Sequence, residues 1–406
     1  MTISTSTTSS SADNRPLDGI RVLEISQWVA GPAAAGIMAD WGADVIKLEA
    51  PTGDPQRGVF AAVGIEKELP NPAFAQDNRG KRSVVFDLQT PEGLARCEQL
   101  LASSDVFITN LRPDALERLK LDPAAVSARH PEMIIASLSG YGSVGPARDV
   151  PGYDAGAFWS RSGLARTNSP REDPPLFIRS GVGDHITGMA TAMAVMAALY
   201  ERTRTGTGRI VETSLFATGM YTAGWDLSVQ LTMDRLSSMR SRTRSQTPMV
   251  NSYRSADDKW FFLIGLEAGR HFPGLANAIG RPELAQDERF GSARSIFANA
   301  EALIAVLDEI FAEQPMSHWA PLFEANDVWW APCQTMADVA NDPQALALGV
   351  FIDTDDSAWD SAERVPPKVR TVASPATFDG QVFLPRRPVP SLGEHTADVI
   401  AELDAN

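Results

Sequence analysis

Cysteine is nearly absent from this chain of 406 residues: only Cys97 and Cys333 occur. Two thiols build no disulfide framework and fit a reducing compartment, so the cytoplasm is the expected location. Basic charge is also scarce, with 36 Lys and Arg against 51 Asp and Glu, a net charge of −15. Phosphate backbones demand a Lys/Arg excess, so no nucleic-acid partner is expected, and an anionic ligand must be met by local cations. The five histidines, His130, His185, His271, His318 and His395, share no ligand spacing, and no metal site is expected. A G-x-G-x-x-G fingerprint is missing as well. The turn after the first predicted strand reads Gln27-Trp28-Val29-Ala30-Gly31-Pro32, which argues against a dehydrogenase. The most apolar run, Ile186 to Tyr200, is too short and too rich in Thr and Ala to span a bilayer. No membrane association is expected. Residues 1–14, mostly Ser and Thr, lack a basic start and an apolar centre, and read as a disordered tail.

What is present fits a globular enzyme: 44% hydrophobic residues, 30 glycines and 28 prolines. The length calls for two domains. Buried strands are expected at Gly19–Ile25, Ala43–Leu48, Ser83–Phe86, Val106–Thr109 and Met133–Leu138, with an Ala-rich helix from Ala33 to Trp41 and another from Pro91 to Ala102. Strand–helix–strand alternation of this kind gives an α/β fold, a doubly wound parallel sheet whose ligand sits at the strands' carboxyl ends. The stretch Val211 to Leu236 reads as largely helical. The expected organisation is a large domain from 15–215, a linker at 216–246, a smaller α/β domain at 247–340, and a return segment, 341–406, that completes the large domain.

Gly181-Val182-Gly183-Asp184-His185-Ile186 places a carboxylate between two glycines and a helix of small residues. Without a β-carbon, Gly181 and Gly183 let a bulky group approach the backbone. Asp184 stands where a helix N-cap belongs, and an ionised carboxylate facing the positive helix end is expected there. On this stretch alone a simple cap explains it. Phe158, Trp159 and Trp225 suit either an apolar acyl pocket or, more simply, core and interface packing.

A set of motifs in order along the chain changes that reading. Pro16-Leu17-Asp18-Gly19-Ile20-Arg21-Val22-Leu23-Glu24 is followed by Ala30-Gly31-Pro32 and by Gly42-Ala43-Asp44-Val45-Ile46-Lys47-Leu48-Glu49. Then come Asn78-Arg79-Gly80-Lys81-Arg82-Ser83, Thr109-Asn110-Leu111-Arg112-Pro113, Pro151-Gly152-Tyr153-Asp154, Gly183-Asp184 and Pro390-Ser391-Leu392-Gly393-Glu394-His395-Thr396. In this order they resemble the family III CoA-transferases of the CaiB/BaiF type, which include the α-methylacyl-CoA racemases.

The resemblance implies a Rossmann-like large domain with a smaller one, in a homodimer of interlocked chains. It implies an acyl-CoA and a carboxylic acid as substrates, with no permanently bound cofactor. Asp184 would be the nucleophile, passing through an acyl–aspartyl anhydride and an aspartyl-CoA thioester. Backbone amides at Val29 and Ala30 would face the developing oxyanion; relatives often carry Gln where Val29 stands. Gln27, Trp28, Lys81, Arg82, Asn110, Arg112 and Arg118 would bind CoA, the cations meeting its phosphates. Lys47 is expected to be structural. Tyr153 and Asp154 would support the site, Asp154 alternatively capping a helix from Ala155. A racemase needs a histidine at the position of Tyr153, whose phenol, titrating near ~10, is a poor base at neutral pH. Racemisation is therefore the second reading, and non-catalytic acyl-CoA binding a third.

Overall fold

The computed structural model describes residues 14–62, 64, 71–236, 238–354 and 369–405. Except for Asn14, the tail read at 1–14 lies outside them. Two compact units emerge. The first takes the chain up to Arg166, then Leu176–Leu236 and everything from Leu348 onward; the second takes Thr167–Pro175 and Ser237–Ala347.

The first unit is built on a six-stranded parallel sheet: β1 (Arg21–Ile25), β2 (Asp44–Glu49), β3 (Arg82–Val85), β4 (Val106–Thr109), β5 (Ile134–Ser139) and β6 (Ile210–Ser214). Their spatial order is β3-β2-β1-β4-β5-β6. Alternate residues along each strand point to opposite faces, and both faces are covered. Val22, Val45, Val106 and Ile134 pack on one side with the Ala30–Asp40 helix and Val195 and Leu199 of the Val182–Thr205 helix. Leu23, Ile46, Phe107 and Ile135 pack on the other with the Pro91–Ala102 and Thr396–Ala405 helices. Each such fully buried side chain contributes about 1.5–3 kcal/mol. Strand order reverses between β1 and β4, and the crevice at their carboxyl ends is where such sheets take ligands.

The sheet runs one strand further than the sequence reading. Ile210–Ser214, which includes the start of the stretch expected to be helical from Val211, pairs in parallel with β5, and helices begin only at Leu215 and Gly224. The expected 216–246 linker is therefore divided. Leu215 and Ala223 pack with Phe158 and Leu164 in a small core of the first unit, so the chain up to Leu236 belongs there. The Val182–Thr205 helix is long and apolar enough to cross a bilayer by composition; here it forms part of the sheet's covering layer.

In the second unit, the antiparallel strands β7 (Val250–Arg254), β8 (Trp260–Ile264) and β9 (Trp330–Pro332) carry one covered face. Tyr253, Phe261 and Leu263 bury there against Phe311 and Trp319 of helices Ala300–Phe311 and Met316–Ala325. Arg242, within the expected 216–246 linker, ion-pairs with Asp308 at 2.6 Å inside this unit. The return segment supplies an antiparallel pair to the first unit, β10 (Phe351–Thr354) and β11 (Val369–Val372).

Candidate active site

A lattice of buried charge underlies the crevice. Glu24 on β1 is completely buried; one carboxylate oxygen accepts from Lys47 at 2.9 Å and the other from Lys81 at 2.6 Å. Burial alone would raise the Glu24 carboxyl, and the two ammonium groups overcome that and hold it well below its ordinary range. Lys47 also ion-pairs with Asp54 at 2.9 Å, and Asp54 accepts from the Trp28 backbone N–H at 3.1 Å. That bond fixes Trp28 in a left-handed conformation, φ 65°, which costs a non-glycine residue strain. Across the sheet's reversal point, the Asn110 side chain accepts from the Gln27 N–H at 2.9 Å and donates to the Gln27 carbonyl at 2.7 Å. The turn after β1 is thus held from both neighbouring strands.

Two cavities open above it. The first, about 430 Å³, is lined by Trp28, Ala30, Arg112, Tyr153 and Asp184 among others. The second, about 790 Å³, lies at the ends of β1 and β2 and includes Arg118. Gln27 and Leu111 line both, so the two are neighbours along one edge of the turn. Arg112 and Arg118 are exposed and form no ion pair among the described residues. Trp28 and Tyr153 meet edge to face, their ring centroids 6.3 Å apart. Val29 caps the Ala30–Asp40 helix without a side-chain hydrogen bond, and the first amides of a helix have no partner within it.

Asp184 is not the N-cap expected from sequence. The cap is Gly181, at φ 89°, and Asp184 is the third residue of the helix. The Gly181 N–H donates to Asp154 at 2.8 Å, and the other Asp154 oxygen accepts from the Ala155 N–H at 2.7 Å. Asp154 begins a π-helical turn, Asp154–Ser160, and its carboxylate pins two chain segments together. Gly183 leaves room for protein, not ligand: a Cβ there would come within 2.5 Å of the buried Phe158 ring. Trp159 donates to the Leu176 carbonyl, and Trp225 is largely exposed.

No hydrogen bond engages the Asp184 carboxylate among the described residues. Burial, with the Asp154 charge second, pushes it up to about 7 against the pull of His185. The expectation of a plainly ionised cap is thus corrected: desolvation outweighs the helix terminus. His185, next in sequence, turns to the Pro72–Asn78 helix, where its Nε2 lies 3.0 Å from the buried Asp77 carboxylate.

Two of the expected phosphate ligands are elsewhere. Lys81 is completely buried and donates to Glu24, the Pro32 carbonyl and Asn78. Burial pulls its ammonium down to about 8 despite the attraction of Glu24. Arg82, 5% exposed, binds Asp44 and Glu402, tying β2 and β3 to the Thr396–Ala405 helix. Both are structural cations: every donor used internally is one fewer for a phosphate. Sequence reasoning passed over Asp54 and also Asp77, whose partner His185 lies 108 residues away in the chain.

The fold is α/β, with a crevice at the sheet's reversal point lined by the Asp184 carboxylate. The chain belongs to CoA-transferase family III, whose model matches residues 17–396, and it is an enzyme of that class. Relatives with named activities cover nearly its whole length. It is 29% identical over 391 residues to the (R)-2-hydroxy-4-methylpentanoate CoA-transferase of Clostridioides difficile, covering 95% of each chain. It is 32% identical over 406 residues to the succinyl-CoA–D-citramalate CoA-transferase of Chloroflexus aurantiacus, covering 97% of this chain and 96% of that one. Among solved structures, a CaiB/BaiF family protein from Brucella suis matches 97% of this chain and all of its own at TM-score 0.84 and 30% identity.

Proposed function

We propose that the protein moves CoA from an acyl-CoA to a carboxylic acid through covalent intermediates on Asp184. The observation that carries the reading is a half-buried carboxylate that lines a cavity at the sheet's reversal point and accepts no hydrogen bond among the described residues. A nucleophile must be unencumbered, and each hydrogen bond it lacks is reactivity it keeps.

An Asp184 oxygen attacks the thioester carbonyl; the C–S bond breaks, leaving an acyl–aspartyl anhydride and the CoA thiolate. The thiolate attacks the aspartyl carbonyl of the anhydride, forming an aspartyl-CoA thioester and releasing the donor acid as its carboxylate. The acceptor carboxylate then attacks that thioester, giving a second anhydride and free thiolate. Attack of the thiolate on the acceptor's acyl carbon forms the new acyl-CoA and regenerates Asp184. No proton or electron is left over. Backbone N–H groups at the uncapped helix start around Ala30 are the donors proposed for the oxyanions. The pantetheine arm would pass Gln27 and Leu111, with the nucleotide in the larger cavity and Arg118 and Arg112 meeting phosphate. Relatives act on branched hydroxy acids and on citramalate, which supports an organic acid as acceptor here.

Tyr153 lines the cavity where the racemase reading needs a histidine, which disfavours racemisation. We further propose a homodimer. Its support is an exposed apolar face on consecutive helices, where Tyr221, Trp225 and Leu231 are each more than three-quarters exposed. Capture of the acyl or CoA group on Asp184 tests the reading.

A further inference from the structure

His185 follows the proposed nucleophile directly, and no step above uses it. Its Nε2 sits 3.0 Å from Asp77 Oδ1, the Asp77 side chain being 3% exposed and the imidazole 45%. Besides His185, Asp77 receives among the described residues a long 3.4 Å contact from Gln56, and it also feels the buried Lys81 ammonium. Of these only His185 lies within 3.0 Å of Asp77 Oδ1, and a buried carboxylate that close favours a charged imidazole opposite it. The His185 N–H also closes the first turn on the Gly181 carbonyl, and Gly181 is in turn bound to Asp154. One residue therefore joins the Pro72–Asn78 helix to the start of the helix that carries Asp184.

We infer that His185, held by Asp77, is a positioning residue that places a positive charge beside Asp184 and keeps its carboxylate in the attacking, ionised form. This rests on Asp184 being the nucleophile. The groups acting on Asp184 divide by sign. Asp154 and Asp77 oppose its ionisation, and His185 favours it. Arg112, Arg148, Asp114 and Asp149 lie around the cavity with Tyr153, two cations against two carboxylates. The hydrogen bond that His185 donates to Asp77 outweighs desolvation and raises the imidazole above its ordinary value, and Asp184 raises it further. Both contacts favour the imidazolium, and its charge in turn favours ionisation of Asp184. Removing its charge favours the neutral acid, so the acid limb of reactivity must move to higher pH.

The test compares the pH dependence of adduct formation on Asp184, with succinyl-CoA and cinnamoyl-CoA as donors, in the unsubstituted protein, His185→Gln and His185→Lys. Glutamine can still donate to Asp77 but carries no charge; lysine keeps the charge. The acid limb should move up by about one pH unit in His185→Gln, so that the rate at pH 6 falls about tenfold and recovers at pH 9. It should stay at or below its original position in His185→Lys. Coupling is reciprocal, so NMR titration of the unsubstituted protein and Asp184→Asn gives a second reading that needs no His185 variant. The His185 imidazole should titrate at lower pH in Asp184→Asn. A rate loss equal at all pH values, or a His185 titration indifferent to Asp184→Asn, overturns the inference. Absence of any Asp184-dependent adduct in the unsubstituted protein overturns the parent reading instead, and is seen before any variant is made.

Discussion

Asp184 carries its charge at a cost, because its site at the cavity desolvates it. Its carboxyl lies at about 7 in the folded chain against an ordinary 3.8. A carboxyl raised by folding stabilises fully below its unfolded value, and that contribution is lost as pH rises through about 7. Asp184→Asn removes the ionisation without changing the shape. It should stabilise the protein at pH 8 by about 1–3 kcal/mol, with the gain shrinking below pH 7 and gone by about pH 4. Urea unfolding at the three pH values checks this; a variant no more stable at pH 8 than at pH 4 would contradict it. Asp184 was legible in the sequence because glycine, carboxylate and a small-residue helix stand together. The state of its charge was not: Asp154 is 30 residues away, and burial has no sequence signature.

At the scale of elements, the buried lattice of Glu24, Lys47, Lys81 and Asp54 binds the ends of β1, β2 and β3 to the turn that bears Trp28. Glu24→Gln leaves two ammonium groups short of their shared anion in a dry interior. It should cost about 3–5 kcal/mol in urea unfolding, well above a surface ion pair's ~1 kcal/mol or less. A loss below 1 kcal/mol would show that the lattice holds little. Lys81 and Arg82 illustrate why sequence misplaced them. A lysine in a motif shows its charge but not its partner, and Glu24 lies 57 residues before Lys81. The parallel strands β1 to β5 were readable because their apolar runs are continuous and both faces are covered. Ile210–Ser214 was not. It is half exposed at the sheet's edge and runs straight into a helix, so its short run merged with the helical pattern behind it.

For the whole molecule, the ordered motifs reach from one end of the chain to the other, and the fold follows them. Where the units divide was harder to read, since Leu215 and Ala223 join the first unit through packing with Phe158. The exposed face around Tyr221 and Trp225 gives the dimer its test. Light scattering should return twice the chain mass, and Trp225→Glu should lower it or weaken association; a monomer at micromolar concentration would contradict the proposal. The central claim is covalent chemistry on Asp184, and intact-protein mass spectrometry reads it most directly. Succinyl-CoA, cinnamoyl-CoA and a wider acyl-CoA panel would each be mixed with the protein and with Asp184→Ala, before and after hydroxylamine. The account requires a mass gain of an acyl or CoA group that hydroxylamine removes and that Asp184→Ala never shows. CoA transfer without any such adduct, or an adduct that persists in Asp184→Ala, would contradict it.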